Sequence, residues 1–576
     1  MTIADRIRAG IARTASTCRR FRQDTAGNIA VIFALVLPLL IMITLGGADI
    51  SRASTVKMNL QDALDAATLT AARSQFTDDD RITEVGLNSL RANLAPFSDI
   101  TLLEGETTFA LNPETGAVEA DATVSVQTMV ANIVLPPYGA VLDDELPVRA
   151  RSEVLRSNNR IEVALVIDNT GSMAGTKLTN TKAAAIDLIN RLEAADGRSI
   201  EADAIKISLV PFSMTVRVTA GGTTTVPSYM SNATTHTGGG AFDASTNRFS
   251  LFETARGRFT LFEDIGTTWG GCVEARPQPF DIRDTAPTTG DQATMFVPYF
   301  APDEPDRTDY PNDSTWQSWL NGSNSDQNDY LNDAPTSTYG TSNSSTPFGT
   351  GSAGTTARTN AYWARLREAD KYATTHSKGT LSTSFGPNKG CSLQPLIRLT
   401  DNYDALRTAV NNMVATGATN VPLGAMWGWH TLSPNAPFGD GRPYGSERLQ
   451  KIIIIMTDGE NVMSSNSSPN ASYYNGLGYI WQERLGMGTG SDTARRQRMD
   501  DRFDHSGAAQ EDLCGNMKAA GIQVYTVAVQ VNSRVQTLMS RCASSNDHYF
   551  PVDNASGIGA AFDRIAGAIE NLRISR

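Results

Sequence analysis

The chain has 576 residues, which is too many for one ordinary domain and predicts two or three folded units. Only 19% of the residues are charged, and the formal net charge is −12. Because nucleic-acid binding depends on concentrated positive charge, a nucleic-acid partner is not expected.

The N-terminal residues have the pattern of a membrane anchor. A basic segment, 1–25, precedes residues 26–48, which contain no charged side chain and are long enough to span a bilayer as a helix. The basic segment contains six arginines, at positions 6, 8, 13, 19, 20 and 22. This asymmetry predicts a single-pass inner-membrane protein with a cytoplasmic N-terminus and a periplasmic bulk. A cleaved signal peptide is the alternative, but no A-x-A site follows the apolar run.

Residues 49–155 are predicted to form a stem and a small β-containing unit. The stem has apolar residues near helical spacing, so we expect the anchor helix to continue outward as an amphipathic helix. These residues are Val56, Leu60, Leu64, Ala67 and Leu69. From about 101 to 155, short alternating runs separated by NPETG and LPPYG indicate β-strands.

Residues 156–576 have a different sequence pattern, in which runs of β-branched and aliphatic residues alternate with segments of helical periodicity. The predicted strands are 161–167, 205–212, 452–457 and 522–529, with a short one near 549. The clearest helical stripes lie in 181–195 and 558–572. This alternation predicts an α/β fold with a doubly wound, largely parallel sheet.

Two insertions interrupt this unit, at about 214–394 and 462–505. The first is rich in Ser, Thr, Asn, Gly and Asp, and a structureless loop of its length would be unusual. It also contains Trp269, Trp316, Trp319 and Trp363, which predict a partly folded subdomain rather than a fully disordered tract.

The cysteines are distributed as expected for an oxidising compartment. Cys18 precedes the apolar segment, and the other four follow it. We predict a Cys272–Cys391 disulfide because these residues bracket the first insertion, and a Cys514–Cys542 disulfide because these residues flank one strand. Buried free thiols are the alternative. No C-x-x-C pair or Cys/His cluster supports zinc binding.

Polar side chains follow the ends of two predicted strands. Asp168, Thr170 and Ser172 form a turn after the first strand, Asp458 follows the 452–457 strand, and Thr419 follows a helix. Ligands of open α/β sheets bind at the carboxyl ends of the strands. Two carboxylates and three hydroxyls suit Mg²⁺, Mn²⁺ or Ca²⁺. A turn that only caps the next helix is the alternative.

This pattern resembles the metal-ion-dependent adhesion site (MIDAS) of the von Willebrand factor A domain, written D-x-S-x-S, then a Thr, then a strand-terminal Asp. The resemblance implies that Thr170, Ser172 and Thr419 ligate the ion, for which Mg²⁺ is expected, while Asp168 and Asp458 hold its waters. Thr170 replaces the commonest Ser but keeps the oxygen. An acidic side chain of a protein partner is expected to complete the coordination. Without metal, Asp168 would face Asp458 as a repelling pair.

The anchor GNIAVIFALVLPLLIMITLGGADISR and the stem resemble TadG-like proteins of the tight-adherence (Flp) pilus system, which join such an anchor to an A domain. The resemblance extends to WGGCVEARP, CGNMKAAGIQVYTVAV and LMSRCASSNDHYF. It implies a membrane-anchored assembly factor for pilus biogenesis or envelope adhesion. A structural minor pilus component, whose metal only stabilises the fold, is the alternative. Prepilin-type cleavage after Gly27 is not expected, because Ile32 would replace the acidic fifth residue.

Enzyme motifs receive no support. The five histidines form no H-E-x-x-H, and no G-x-S-x-G is present. The segment GSMAGTKL imitates a phosphate loop, but Lys177 follows Thr176 rather than Gly and precedes Leu178. The acidic run around Asp326 and Asp329 lacks the Gly and Glu of a calcium loop. We therefore expect a binding protein rather than an enzyme.

Overall fold

A computed structural model gives the fold of most of the chain. The described residues are 25–74, 76–97, 100–113, 115–127, 145–155, 159–197, 199, 201, 203–222, 227–230, 252, 257–305, 327–332, 362–363, 365–374, 377–466, 468–485, 490–505 and 511–574. Residues 1–24 of the predicted basic segment, which include Cys18, lie outside them, as do Trp316, Trp319 and Asp326.

The chain divides into two compact units, Met1–Ser157 and Asn158–Ser575. The described part of the first unit contains two α-helices and a small antiparallel sheet. Its elements are α1 (Thr25–Arg73), α2 (Asp79–Leu94), β1 (Ile100–Leu102), β2 (Thr108–Leu111), β3 (Ala117–Gln127) and β4 (Glu145–Leu155). Strand β3 pairs along its whole length with β4, and it pairs with β1 and β2 on its other edge.

Helix α1 runs without a break through the predicted anchor and the predicted stem. The stem face is part of the core of the first unit, because Leu60, Leu64 and Ala67 pack with residues of α2 and β3. The predicted stripe is wrong at its end: Leu69 is 39% exposed, while Ala71 is fully buried. Ala71 lies four residues after Ala67 and therefore returns to the same helix face.

The N-terminal half of α1 covers the predicted membrane segment, and several of its side chains lie outside the described part of the chain. Ile32, Phe33, Leu35 and Leu40 are each at least half exposed. Across the residues that are described, no helix offers a stretch with the length and hydropathy needed to cross a membrane.

The second unit is an α/β fold. Its strands are β5 (Arg160–Asp168), β6 (Ile205–Phe212), β7 (Val216–Arg217), β8 (Cys272–Glu274), β9 (Val297–Pro298), β10 (Ile397–Thr400), β11 (Leu449–Thr457), β12 (Ile522–Val529) and β13 (Tyr549–Val552). Its helices are α3 (Thr176–Asp196), α4 (Arg258–Asp264), α5 (Lys371–Thr374), α6 (Tyr403–Asn412), α7 (Val421–Leu432), α8 (Asp492–Phe503), α9 (Leu513–Ala519), α10 (Ser533–Cys542) and α11 (Ile558–Ile574).

The described strands of this unit form one mixed sheet in the order β13-β12-β11-β5-β6-β7-β8-β9. Strands β13, β12, β11, β5 and β6 are parallel, as predicted. Strands β7 to β9 belong to the first insertion and extend the sheet with antiparallel pairing, and β10 pairs antiparallel with β6. The sheet is therefore mixed because the insertion continues its hydrogen-bond ladder beyond β6.

Alternate residues of the central strand β5 enter different cores, which makes the sheet doubly wound. Val163 and Leu165 pack with residues of α3, α6 and α11, whereas Ala164 and Val166 pack with residues of α7. Helix α7 lies close to the sheet at Gly428, where a Cβ atom would stand 2.3 Å from a methyl carbon of Val166. Only glycine allows this approach.

The described parts of the two insertions fold together, which the sequence did not indicate. The backbone of Gly476 accepts a hydrogen bond from Ala275 at 2.8 Å, and Trp363 stacks on Trp481 with ring centroids 5.0 Å apart. Trp269 is fully buried. The prediction of a partly folded first insertion is confirmed for these segments. Both predicted disulfides, Cys272–Cys391 and Cys514–Cys542, are also present.

Candidate metal centre

Three loops meet at the carboxyl edge of the parallel strands. Strand β5 lies between β6 and β11, so the chain continues to opposite sides of β5, and such a switch point opens a crevice above the strand ends. The loop before α7 joins the other two loops through backbone hydrogen bonds of 2.8 to 2.9 Å. These are Gly171 N to Gly417 O, Thr416 N to Asn169 O, and Val462 N to Thr419 O.

The hydroxyls and one carboxylate form a connected group in this crevice. Thr170 Oγ1 lies 2.9 Å from Ser172 Oγ, and Ser172 Oγ donates to Asp458 Oδ1 at 2.6 Å. Thr419 Oγ1 and Ser172 Oγ both face Gly459, where an added Cβ would lie 3.5 and 3.7 Å from them. The absence of a side chain at Gly459 therefore leaves space between these two hydroxyls.

Asp168 is buried and is hydrogen-bonded to the loop that carries these hydroxyls. Its Oδ1 accepts a hydrogen bond from Thr170 N at 2.9 Å, and its Oδ2 accepts one from the Thr457 hydroxyl at 2.6 Å. Burial raises the pKa of Asp168 to about 6, with a further contribution from the charge of Asp458, although hydrogen bonds from Thr170 and Thr457 oppose the shift. A cation in the crevice would favour the ionised carboxylate. The supporting role of Thr457 was missed from the sequence.

The expectation that Asp168 and Asp458 form an uncompensated carboxylate pair is wrong, because Lys177 forms an ion pair with Asp458. Its Nζ donates to Asp458 Oδ2 at 2.6 Å, and the Asp458 side chain has no exposed area. Lys177 lies in the first turn of α3, directly after the loop that carries Ser172. Its position nine residues after Asp168 was a usable signal, but we considered this lysine only as part of a phosphate loop. One of the two carboxylates is therefore already paired with an ammonium group.

The structure brings together all five residues predicted from the sequence. Asp168 and Thr170 are buried, Thr419 and Asp458 are nearly so, and Ser172 is exposed, so the group opens to solvent on one side. Within the described ranges, no cluster of three or more His, Cys, Asp or Glu that could hold a metal ion forms. The oxygen-only donor set fits a hard divalent cation.

Comparison with solved structures finds pilus proteins at low identity. A vWF domain of the type V pili tip protein Mfa5 from Porphyromonas gingivalis is 9% identical, with a TM-score of 0.27 over 73% of this chain and 97% of that chain. The PilB minor pilin from Streptococcus sanguinis is 10% identical, with a TM-score of 0.29 over 83% and 79%.

The pilus adhesin SpaC from Lactobacillus rhamnosus GG is 11% identical, with a TM-score of 0.28 over 82% of this chain. The match spans only 34% of the SpaC chain. No curated protein matches this chain in sequence. Residues 27–74 match the family described as putative Flp pilus-assembly TadE/G-like. The chain thus carries a TadE/G-like Flp pilus-assembly domain, formed by most of α1.

Proposed function

We propose that this chain is a membrane-anchored assembly or adhesion factor of a Flp-type pilus, and that its second unit binds a protein partner through a divalent cation. The observation that carries the proposal is the convergence of Thr170, Ser172, Thr419, Asp168 and Asp458 at one sheet edge. A carboxylate-and-hydroxyl group open to solvent suits a cation that still accepts an outside ligand.

Each side chain has a role that its contacts support. The hydroxyls of Thr170, Ser172 and Thr419 would hold the ion, because they are the uncharged oxygens that face the crevice. Asp458 would orient Ser172, to which it is already hydrogen-bonded, and Asp168 would fix the loop through the Thr170 amide. A bound Mg²⁺ would supply a position for an acidic side chain of the partner.

The N-terminal domain supports the anchored location. Helix α1 covers the apolar segment 26–48, and the TadE/G-like match includes this segment from residue 27 onward. Two disulfides favour an extracytoplasmic location for the second unit. We propose that the N-terminus faces the cytoplasm and that the bulk of the chain lies in the periplasm, in accordance with the arginine asymmetry.

A structural minor pilus component is the second candidate. The Lys177–Asp458 ion pair favours it, because it neutralises one carboxylate without any metal. In that case the polar side chains at this sheet edge would only stabilise the fold. Cell fractionation distinguishes the two, since an assembly factor remains with the inner membrane and a filament subunit appears in sheared pili.

The test is cation binding by the purified full-length chain, with Mn²⁺ and Mg²⁺ as probes in titration calorimetry. We expect one site per chain, weakened at least tenfold in Ser172→Ala, which removes one exposed ligand. Asp168→Ala should abolish both cation and partner binding, but it also removes two internal hydrogen bonds and should lower stability. Thr537→Ala is the matched control, because this exposed hydroxyl bonds only within α10.

Partner binding is measured by identifying envelope and pilus proteins that co-purify with the chain, with and without chelator. Chelator and Ser172→Ala should both remove the same partner, and Thr537→Ala should retain it. If the chain binds no divalent ion, or if the partner remains bound in excess chelator, the metal-dependent mechanism is wrong and the structural candidate replaces it.

A further inference from the structure

A cavity of about 190 Å³ lies where the two insertions of the second unit meet. The first insertion contributes Tyr299 and Glu304, and the second contributes Tyr473, Tyr474 and Tyr479. The cavity is separate from the candidate metal centre, whose residues do not line it. Four tyrosines and one carboxylate around a small open cavity are a composition typical of ligand sites.

The rings of Tyr299, Tyr474 and Tyr479 form a wall of the cavity and are tilted relative to one another. Tyr474 lies 5.4 Å from Tyr299 and 5.0 Å from Tyr479 between ring centroids, with interplanar angles of 59° and 67°. The hydroxyls of these three residues are already used by protein acceptors: Tyr299 donates to Lys389 O, Tyr474 to Glu274, and Tyr479 to Glu304. The wall therefore offers ring surface rather than free hydroxyls.

Glu304 supplies the charge. Its side chain is buried and, among the described residues, accepts hydrogen bonds from neutral groups: Asn328 N at 3.2 Å, Asn470 Nδ2 at 3.3 Å and Tyr479 Oη at 3.1 Å. In the part of the chain that is described, no basic side chain forms an ion pair with it. Burial raises the pKa of Glu304, while hydrogen bonds and the charge of Lys389 oppose that shift.

Lys389 also lines the cavity, but its Nζ donates to Gln327 O at 3.2 Å. Its positive charge helps to keep Glu304 ionised and at the same time opposes the entry of another cation. Because these two effects of Lys389 on a cationic ligand oppose each other, the test of the ligand class rests on Glu304 and the tyrosine rings.

We propose that this cavity binds a quaternary ammonium group, such as a choline head group. Aromatic faces attract organic cations, and a buried carboxylate without an ion-pair partner adds to that attraction. A primary ammonium has three N–H donors to satisfy, whereas Glu304 already accepts three hydrogen bonds and the tyrosine hydroxyls are engaged. A trimethylated ammonium has no donors and needs only ring surface and negative charge.

The test is titration calorimetry of the full-length chain with tetramethylammonium chloride, with methylammonium chloride as the matched primary amine. We expect tetramethylammonium to bind more tightly than methylammonium. Glu304→Gln should weaken its binding at least tenfold. Tyr473→Ala removes a ring that is 48% exposed, and it should weaken binding.

Folding of every variant is checked by circular dichroism, and Tyr473→Ala keeps the proposal testable if Glu304→Gln does not fold. Tighter binding of methylammonium, equal binding in Tyr473→Ala, or no binding of either probe would overturn the proposal. Mn²⁺ binding by the same variants should remain unchanged, so failure of this site and failure of the metal site are distinguishable.

Discussion

In the Lys177→Met variant, the stability of the second unit should depend on the bound cation. The variant removes the ammonium from Asp458, whose side chain has no exposed area, and keeps most of the apolar stem. Breaking a fully buried ion pair costs about 3 to 5 kcal/mol. Because Lys177 is 23% exposed and Ser172 still donates to Asp458, we expect a loss of about 2 kcal/mol in the free energy of unfolding without metal.

The same change should tighten cation binding. In the wild-type chain an incoming cation competes with the ammonium for Asp458, and a hydrogen bond between charged groups contributes about 1.5 to 3 kcal/mol. If cation binding has to break the Lys177–Asp458 hydrogen bond, the Lys177→Met variant no longer has this bond to break. The variant should therefore bind the cation about 10- to 100-fold more tightly than wild type. Added Mg²⁺ should then restore the stability lost in the variant, because a ligand that binds only the folded state stabilises it.

The assay combines denaturant unfolding in chelator and in Mg²⁺ with calorimetric titration of Mn²⁺. Lys182→Met is the matched control, since Lys182 lies on the same helix but donates to the backbone of Asn411 outside the site. The reasoning is refuted if Lys177→Met binds the cation no more tightly than wild type, or if Lys182→Met behaves in the same way as Lys177→Met.

Three further predictions concern topology, the disulfides and acid stability. A reporter that is active only outside the cytoplasm should work when fused after residue 60, and activity of a cytoplasm-only reporter there would contradict the proposed orientation. Replacing Cys514 and Cys542 by Ser should lower the free energy of unfolding by about 3.5 kcal/mol, since the bridge closes a 28-residue separation, and peptide mapping without reductant should recover both disulfides. Burial lowers the pKa of His430 to about 4, with Asp284 opposing. The unfolded chain therefore takes up this proton first, below pH of about 6.5, and the stability contributed by His430, measured as the difference between wild type and His430→Gln, should fall by about 2 kcal/mol between pH 7 and 5.

The parallel strands could be predicted because they are buried on both faces. Strands β6 and β12 have the predicted bounds, 205–212 and 522–529, because their β-branched and aliphatic residues are dense enough to mark a buried strand in the sequence. The first insertion's short strands had no such signal. Val216–Arg217 is only two residues long and is a strand because the edge of β6 is available for pairing.

The residues of the candidate site that lie at strand ends could be predicted from the sequence. Asp168 and Asp458 follow two parallel strands, so their proximity follows from the sheet order. Lys177 reaches Asp458 across 281 positions in sequence, and Tyr474 and Glu304 line one cavity although they belong to different insertions. Contacts of this kind depend on how separate segments pack, and no local periodicity encodes them.

Helix α1 has a mechanical consequence. Its 49 residues extend for about 74 Å at 1.5 Å per residue, and no turn separates the predicted anchor from the face that carries Leu60 and Leu64. A flexible tether would absorb torque, whereas a continuous helix transmits it. Force applied at the N-terminal end of α1 is therefore borne by the core of the first unit, which has to shear along several helical turns before the helix can be withdrawn.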